Sequence, residues 1–549
     1  MLAARPWNSH RTVELLLAHG ADATATNRFG ASALMAAAAG GDAESVRLLL
    51  AHGADANGQP GFGEPEFIFG GGRSALMWAA YRGDIAIMKL LLDAGANPSA
   101  EAMLGTPLTQ ATWADQTEAA RLLLERGAKA DQADHSAGYT PLHWAASTEA
   151  QDPALVKLLL ERGANPNAEG GRDVDAFMDI PQTPLMMAKR RGDAPVLSAL
   201  IQAGATNETP DKVRNPAPAT HDLGAKIDNA ALRMAVEQAI PLLQQTSIES
   251  KQAFVKHASR QDCVSCHQQF LPLAAIGTAR KSQIAVDRES ESELIKMIQA
   301  GELKNSEADW EALFHPDAVQ TKGYSLFGQA VADVSASEYT DASVHHLAAI
   351  QGKDGRWHNN LPRPPIQTGD IGATALAIQA LQHYPLPGRK AEFAKQVDRA
   401  RQWLWNVKPE NTEGRIYQLL GLAWAGESVQ KVQTMAKALI SEQRPDGGWA
   451  QLPGLKSDAY ATGQAVYALR IAAGKDSSNA AVVRGRRFLL ETQLADGTWY
   501  VHRRAFPFQP TMNSGFPHGK DSWISAAATS WAVLALANPE ETPALAFKR

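Results

Sequence analysis

The string "CVSCH" at residues 263–267 gathers the groups in this chain best suited to chemistry. Cys263 and Cys266 are its two cysteines, and His267 follows directly. Cys-x-x-Cys-His is the spelling of covalent c-type haem attachment. Two thiols add to the two vinyl groups of one haem edge, and the next imidazole binds the iron. On this reading haem c is the cofactor, Cys263 and Cys266 are its thioether anchors, and His267 is the metal ligand. The apolar run "FLPLAAI" (270–276) can wall a haem edge. No sixth ligand stands out: Met234, His257, Met297 and His315 qualify by residue type alone. Two other readings stay open. The thiols can form a CxxC redox pair or join a Cys/His metal site, although zinc needs a fourth ligand and the local spacing suits it poorly. Alternatively the segment is buried and its cysteines do no chemistry.

The elements that must position this motif are bounded by size and composition. A chain of 549 residues exceeds what one core holds, so two or more domains are expected. Hydrophobic content of 45% and charged content of 20% are those of globular material. No unbroken run of 18 apolar residues predicts a membrane-crossing helix. A net charge of −5 without a long basic run gives no nucleic-acid footprint. Residues 1–207 carry 16 Lys+Arg against 23 Asp+Glu, and the remainder 37 against 35, so the first part presents a mildly acidic surface. Two cysteines exclude a disulfide framework. No signal peptide is visible, and "MLAARPWNSHRTVELLLAHGADA" opens partway into a repeat, so the true N-terminus is expected upstream.

That repeat is plain. "LLLAHGADA" (15–23) returns at 48–56, then as "LLLDAGANP" (90–98), "LLLERGAKA" (122–130), "LLLERGANP" (158–166) and "LIQAGATNE" (200–208). A second phrase precedes the last five, as in "SALMWAAYRGD" (74–84) and "TPLHWAASTEA" (140–150). Ser or Thr caps a helix, Pro occupies its first position, and a glycine in the left-handed region ends the partner helix. The phrases resemble ankyrin repeats, which stack into a solenoid and bind proteins. His143 in "TPLH" reads as a structural hydrogen-bonder. Two insertions, "GQPGFGEPEFIFGGGR" (58–73) and "EGGRDVDAFMDIPQ" (169–182), fall on the finger-loop side. Their aromatics Phe62, Phe67, Phe69 and Phe177 are candidate contacts for a protein partner; disordered insertion is the alternative.

After a proline-bearing linker (209–226), a second phrase of the form Q-x-x-D-G-x-W appears at 351–357, 443–449 and 493–499. Each copy precedes a small-residue helix, and "ARQWLWNVKPENTEGR" (400–415) reads as a degenerate copy. With "RGRRFLLETQ" (484–493) ahead of the last copy, the order is that of the QW motif. This half resembles the α/α toroid of the squalene–hopene cyclase and prenyltransferase superfamily. The resemblance implies that glutamine and tryptophan staple neighbouring helix pairs. Residues 227–549 do not spell the Asp-x-Asp-Asp acid of squalene–hopene cyclases, and the toroid repeats have no cysteine for a prenyltransferase zinc site. Asp370, Asp458 and Asp521 recur at the starts of three helices, which marks them as N-caps. His345 and His346 read as core or rim packing.

The expectation is an all-α protein, an ankyrin solenoid followed by an α/α toroid of alternating inner and outer helices. Five ankyrin repeats and an N-terminal partial one span 1–208, the linker 209–226, a helical CxxCH-bearing segment 227–319, and the toroid 320–549. Three functions compete: a haem c protein that transfers electrons or senses, with the solenoid docking a partner; a non-catalytic scaffold whose toroid binds an apolar ligand or partner; and a terpenoid cyclase-like enzyme with a different acid. Haem c implies a periplasmic or otherwise exported protein, and its absence a cytoplasmic one.

Overall fold

The structure is a computed structural model. It describes residues 10–27, 30–60, 72–102, 105–135, 138–148, 152–170, 182–192, 195–206, 216–219, 227–257, 265–304, 306–310, 318–359, 364–367, 369–473, 479–504 and 514–537. These residues are helical, with isolated bridges and no named strand among them.

The solenoid opens on α1 (His10–Ala18) and continues as five helix pairs. The inner helices are α2 (Ala33–Gly40), α4 (Ala75–Arg82), α6 (Pro107–Trp113), α8 (Pro141–Ser147) and α10 (Pro184–Lys189). Their outer partners are α3 (Ala43–Ala51), α5 (Ile85–Asp93), α7 (Thr117–Glu125), α9 (Pro153–Glu161) and α11 (Pro195–Gln202). The Ser and Thr caps work as their sequence suggests. Ser32, Ser74, Thr106 and Thr183 each accept a backbone N–H from three residues on, at 3.3 Å. One continuous apolar core runs from Val13 to Ala205.

The second half is a closed ring. Its inner helices are α13 (Leu271–Lys281), α16 (Ala318–Val331), α18 (Asp370–His383), α20 (Thr412–Trp424), α22 (Ala459–Ala473) and α24 (Ser522–Leu536). The outer layer is α12 (Asn229–His257), α14 (Arg288–Leu303), α17 (Glu338–Ala349), α19 (Lys390–Asn406), α21 (Val429–Ser441) and α23 (Ala480–Thr492), and the short α15 (Ser306–Trp310) lies against α17. Each inner helix touches the next, and α24 returns to α13. Inner helices must approach closely: a side chain at Gly463 of α22 would lie 2.7 Å from the Trp531 backbone of α24. The segment 227–319 is therefore not a separate unit. It supplies α12, α13 and α14, and one core joins it to everything up to Ala537. Pro241 sits within α12 without ending it.

The repeated phrase has one wiring, used three times. The Gln351, Gln443 and Gln493 side-chain amides each donate to the glycine carbonyl of their own turn, Gly355, Gly447 and Gly497, at 2.7, 2.8 and 3.0 Å. Each also donates to the next outer helix, at Gln396, Ala481 and Ala235 carbonyls, at 2.9, 2.8 and 2.8 Å. The Trp357, Trp449 and Trp499 indoles bond back to the Leu347, Leu439 and Leu489 carbonyls at 2.7–2.8 Å. Because Ala235 lies in α12, the third copy closes the ring. Gly497 has φ 83°, and a Cβ there would lie 2.5 Å from the Gln238 carbonyl, so only glycine fits. The stretch at 400–415 does not copy this wiring. There Gln418 of the inner helix reaches the Leu404 and Val407 carbonyls, at 2.7 and 2.9 Å.

Candidate functional site

The described half of "CVSCH" starts inner helix α13. Ser265 caps a π-helical turn, Cys266–Phe270, by accepting the Gln268 N–H at 3.2 Å. Gln269 bridges that cap to α12: its amide donates to the Ser247 carbonyl at 2.9 Å and to Ser250 Oγ at 2.7 Å. Cys266 is buried and close enough to Tyr417 of α20 to act on its ionisation. His267 is half-buried, its ring edge-on to Trp523 of α24 at 5.5 Å between centroids. Cys263 and the candidate ligand His315 lie outside the described residues, as does the side chain of His257. Met234 is 49% exposed on α12. Among the described residues, no group of three or more His, Cys, Asp or Glu side chains converges as a metal cage.

Facing Cys266 is a polar network that the sequence reading missed. Tyr417 and Tyr324 share a hydrogen bond of 2.7 Å, and Tyr324 donates to the Ile366 carbonyl at 3.0 Å. Tyr460 donates to Glu413 Oε1 at 2.8 Å, as does the Gln464 amide at 3.3 Å. Burial first, then the neighbouring hydroxyls and Glu413, raise all three phenols well above their ordinary range. Glu413 is a buried, unrepeated carboxyl in the first turn of α20. Its signal was its lack of any counterpart at the other inner-helix starts. Further along the same helices, Phe327, Trp424, Tyr467 and Trp531 pack together, with Phe327 5.8–6.2 Å from the other three rings.

The three recurrent aspartates divide. Asp458 is a cap, accepting the Ala461 N–H at 2.9 Å, and burial pushes its carboxyl up to about 6. Asp370 and Asp521 make no side-chain cap bond. They hold the chain that follows the tryptophan instead. Asp370 binds His358 at 3.0 Å and the Asn359 N–H at 2.8 Å; Asp521 binds His502 at 3.2 Å and Tyr500 at 2.7 Å. Burial works to raise both carboxyls, but the facing histidines, together with Arg356 and the Asn359 N–H at Asp370 and with Tyr500 and the Arg503 N–H at Asp521, leave them below the usual range. His345 stacks on Trp310, and His346 is buried beside Asp309. Lys322 pairs with that Asp309 at 2.5 Å, tying α15 to α16.

The short turns of the solenoid dock against the ring. Tyr81 at the end of α4 donates to the Asn359 carbonyl at 2.6 Å, and Gly192 abuts Gly454. The linker joins in, with Ala219 N–H bound to the Gln493 carbonyl at 2.8 Å. His143 is structural as expected. It forms a capping box with Thr140 and contacts the Gln182 carbonyl at 3.1 Å, while burial lowers it to about 4. The candidate partner contacts Phe62, Phe67, Phe69 and Phe177 lie outside the described residues.

Comparison with known proteins agrees with this division. Residues 1–102 and 100–170 match the family profile of ankyrin repeats in three copies. Residues 389–498 match the squalene-hopene cyclase N-terminal domain. The chain joins ankyrin repeats to a cyclase-like domain. A putative ankyrin repeat protein of Rickettsia felis is 40% identical over 74 residues, 12% of this chain and 32% of the relative. The chain thus spans about a third of the length of that curated relative. The crystal structure of the human ASB11 ankyrin repeat domain is 26% identical, covering 37% of this chain and 82% of that one, with a TM-score of 0.30.

Proposed function

We propose that this protein carries a covalent c-type haem at the "CVSCH" turn and uses it for electron transfer or redox sensing, with the solenoid docking a protein partner through its finger-loop side. Cys263 and Cys266 would hold the group, and His267 would ligate its iron. The group supplies a one-electron couple. The donor set fits, since covalent attachment asks for two thiols and one imidazole in this order, not for a cage of ligands. The observation that carries the reading is that Cys266 and His267 are adjoining residues at the start of an inner helix, beside a tyrosine network, while the repeated turns elsewhere are spent on stapling. Thioether attachment takes place outside the bacterial cytoplasm, so the reading carries export with it. The test is expression in a strain competent for haem c maturation. A Soret band that survives acid-acetone extraction, and is lost in Cys263→Ser and Cys266→Ser, is expected. Fully matured preparations without covalent haem would refute it.

A second reading, a redox-inert scaffold, draws on the packing of Phe327, Trp424, Tyr467 and Trp531 inside the ring, which favours a rigid platform over a large apolar ligand chamber. A cyclase role for Glu413 is less favoured, because both hydrogen bonds to its Oε1 come from donors and so stabilise a carboxylate, not a proton-giving acid.

A further inference from the structure

Arg73 ends the first solenoid insertion, and its side chain runs along inner helix α4. The guanidinium carbon lies 4.5 Å from the Trp78 ring centroid, 5.4 Å from Tyr81 and 5.7 Å from Trp113. Arg73 is only 1% exposed, and none of its three guanidinium nitrogens has a hydrogen-bond partner. Burial lowers it to about 10, which leaves it charged at neutral pH. Aromatic faces attract a cation but satisfy no N–H, and a buried charge without a counter-ion is strongly unfavourable. The box is built into the seam between the two halves, since Tyr81, one of its walls, is bound to Asn359 of the ring.

We infer that Arg73 and its aromatic box form a binding site for a carboxylate. The charge argues for this class: one guanidinium matches one negative charge, whereas phosphate would bring nearly two. The nearby Arg82 already lies in the field of Asp84, Asp370 and Asp354. A flat carboxylate also meets the guanidinium edge with two parallel hydrogen bonds and fits between ring faces. The carboxylate is either a small organic acid or an acidic side chain of a protein partner. The inference is independent of haem.

The test is thermal unfolding of the full chain at fixed ionic strength in sodium chloride, acetate, phosphate, or a blocked Gly-Glu-Gly peptide. Relative to chloride, a carboxylate probe is expected to raise the wild-type Tm by about 3 °C at saturating concentration. Arg73→Met should lose that rise, and in chloride should melt about 2 °C above wild type, because an unpaired buried charge is gone. Arg73→Lys, which keeps the charge without the fork, should show a smaller rise. A rise with acetate assigns a free acid; a rise with the peptide alone assigns a partner's side chain. An equal rise in Arg73→Met, a larger rise with phosphate, or no rise in wild type overturns the inference, and a destabilised Arg73→Met would then make Arg73 a stacking residue only.

Discussion

The solenoid and the ring are both built from helix pairs too small to bury their own apolar faces, yet they solve the problem differently. The solenoid stacks its pairs side by side: Leu15 and Leu16 on α1 and Ile201 on α11 are 59%, 46% and 58% exposed. The ring closes on itself, because Gln493 ties α23 to α12 across 258 residues of sequence. Closure makes every pair depend on two neighbours and points six inner-helix starts toward an interior. An open stack keeps one face for partners. The difference teaches where unrepeated residues matter. In the ring they are Cys266, His267 and Glu413; in the solenoid, Arg73.

The largest expected effect probes the staple itself. Trp449 is fully buried and bonded to the Leu439 carbonyl, so Trp449→Ala should cost about 4 kcal/mol, chiefly through lost packing with one hydrogen bond lost beside it. Denaturant unfolding monitored by circular dichroism measures it. A cost below about 1 kcal/mol would mean that the ring does not depend on its tryptophans.

Next is closure. Gln493→Ala removes two buried hydrogen bonds, one of them to the Gly497 carbonyl of its own turn, for about 2 kcal/mol. The same change at Gln443 removes an equivalent pair between adjacent segments. Hydrogen exchange separates the two. Gln493→Ala should speed exchange in both α12 and α23, the two sides of the joint, while Gln443→Ala should act near α21 and α23. Identical exchange patterns would show that the joint is no special point.

These staples were legible in the sequence because three copies with the same internal spacing overdetermine a role. Ring membership of 227–319 was only loosely legible, because no copy of the phrase falls within it. The aspartates were half legible. A carboxylate at a helix start reads as a cap, but the chain after the tryptophan brings His358 and the Asn359 N–H to Asp370, and His502 and the Arg503 N–H to Asp521. Glu413 was hidden in "PENTEGR", a string polar enough to pass for solvent-facing turn, although its neighbours prove to be Tyr460 and Gln464 from the next inner helix. Arg73 was hidden for the opposite reason. It lies in a loop rich in glycine, and no local pattern announces an aromatic box assembled from two repeats.

A smaller effect probes the seam. Burial, and then the charge of Asp152, raise Asp115 to about 7, with Glu410 of the ring adding to the rise. The unfolded chain releases this proton near pH 4, while the folded chain keeps it until about pH 7. The folded state then binds more protons, so stability falls as pH climbs through that window. Asp115→Asn should abolish the slope, being about 1–2 kcal/mol more stable than wild type at pH 8 and indistinguishable below pH 4. Asparagine suits the backbone there, where φ is 58°. Parallel unfolding curves for the two proteins from pH 4 to 8 would contradict the shift.

The smallest effect is expected at Leu16 of α1. "LLLAHGADA" at 15–23 and at 48–56 is the same phrase, so Leu16 and Leu49 hold matching positions in successive outer helices. Leu49 is 2% exposed and Leu16 46%. Leu49→Ala should cost about 3 kcal/mol, in the range for a buried leucine, whereas Leu16→Ala should stay within about 0.5 kcal/mol. Residue type and the phrase LLLAHGADA are shared by this pair. The gap between the two costs therefore measures what burial of the same residue against neighbouring helices contributes, which is what the ring secures by closing on itself. Equal costs would mean that the repeats fold on their own local propensity and that stacking adds little.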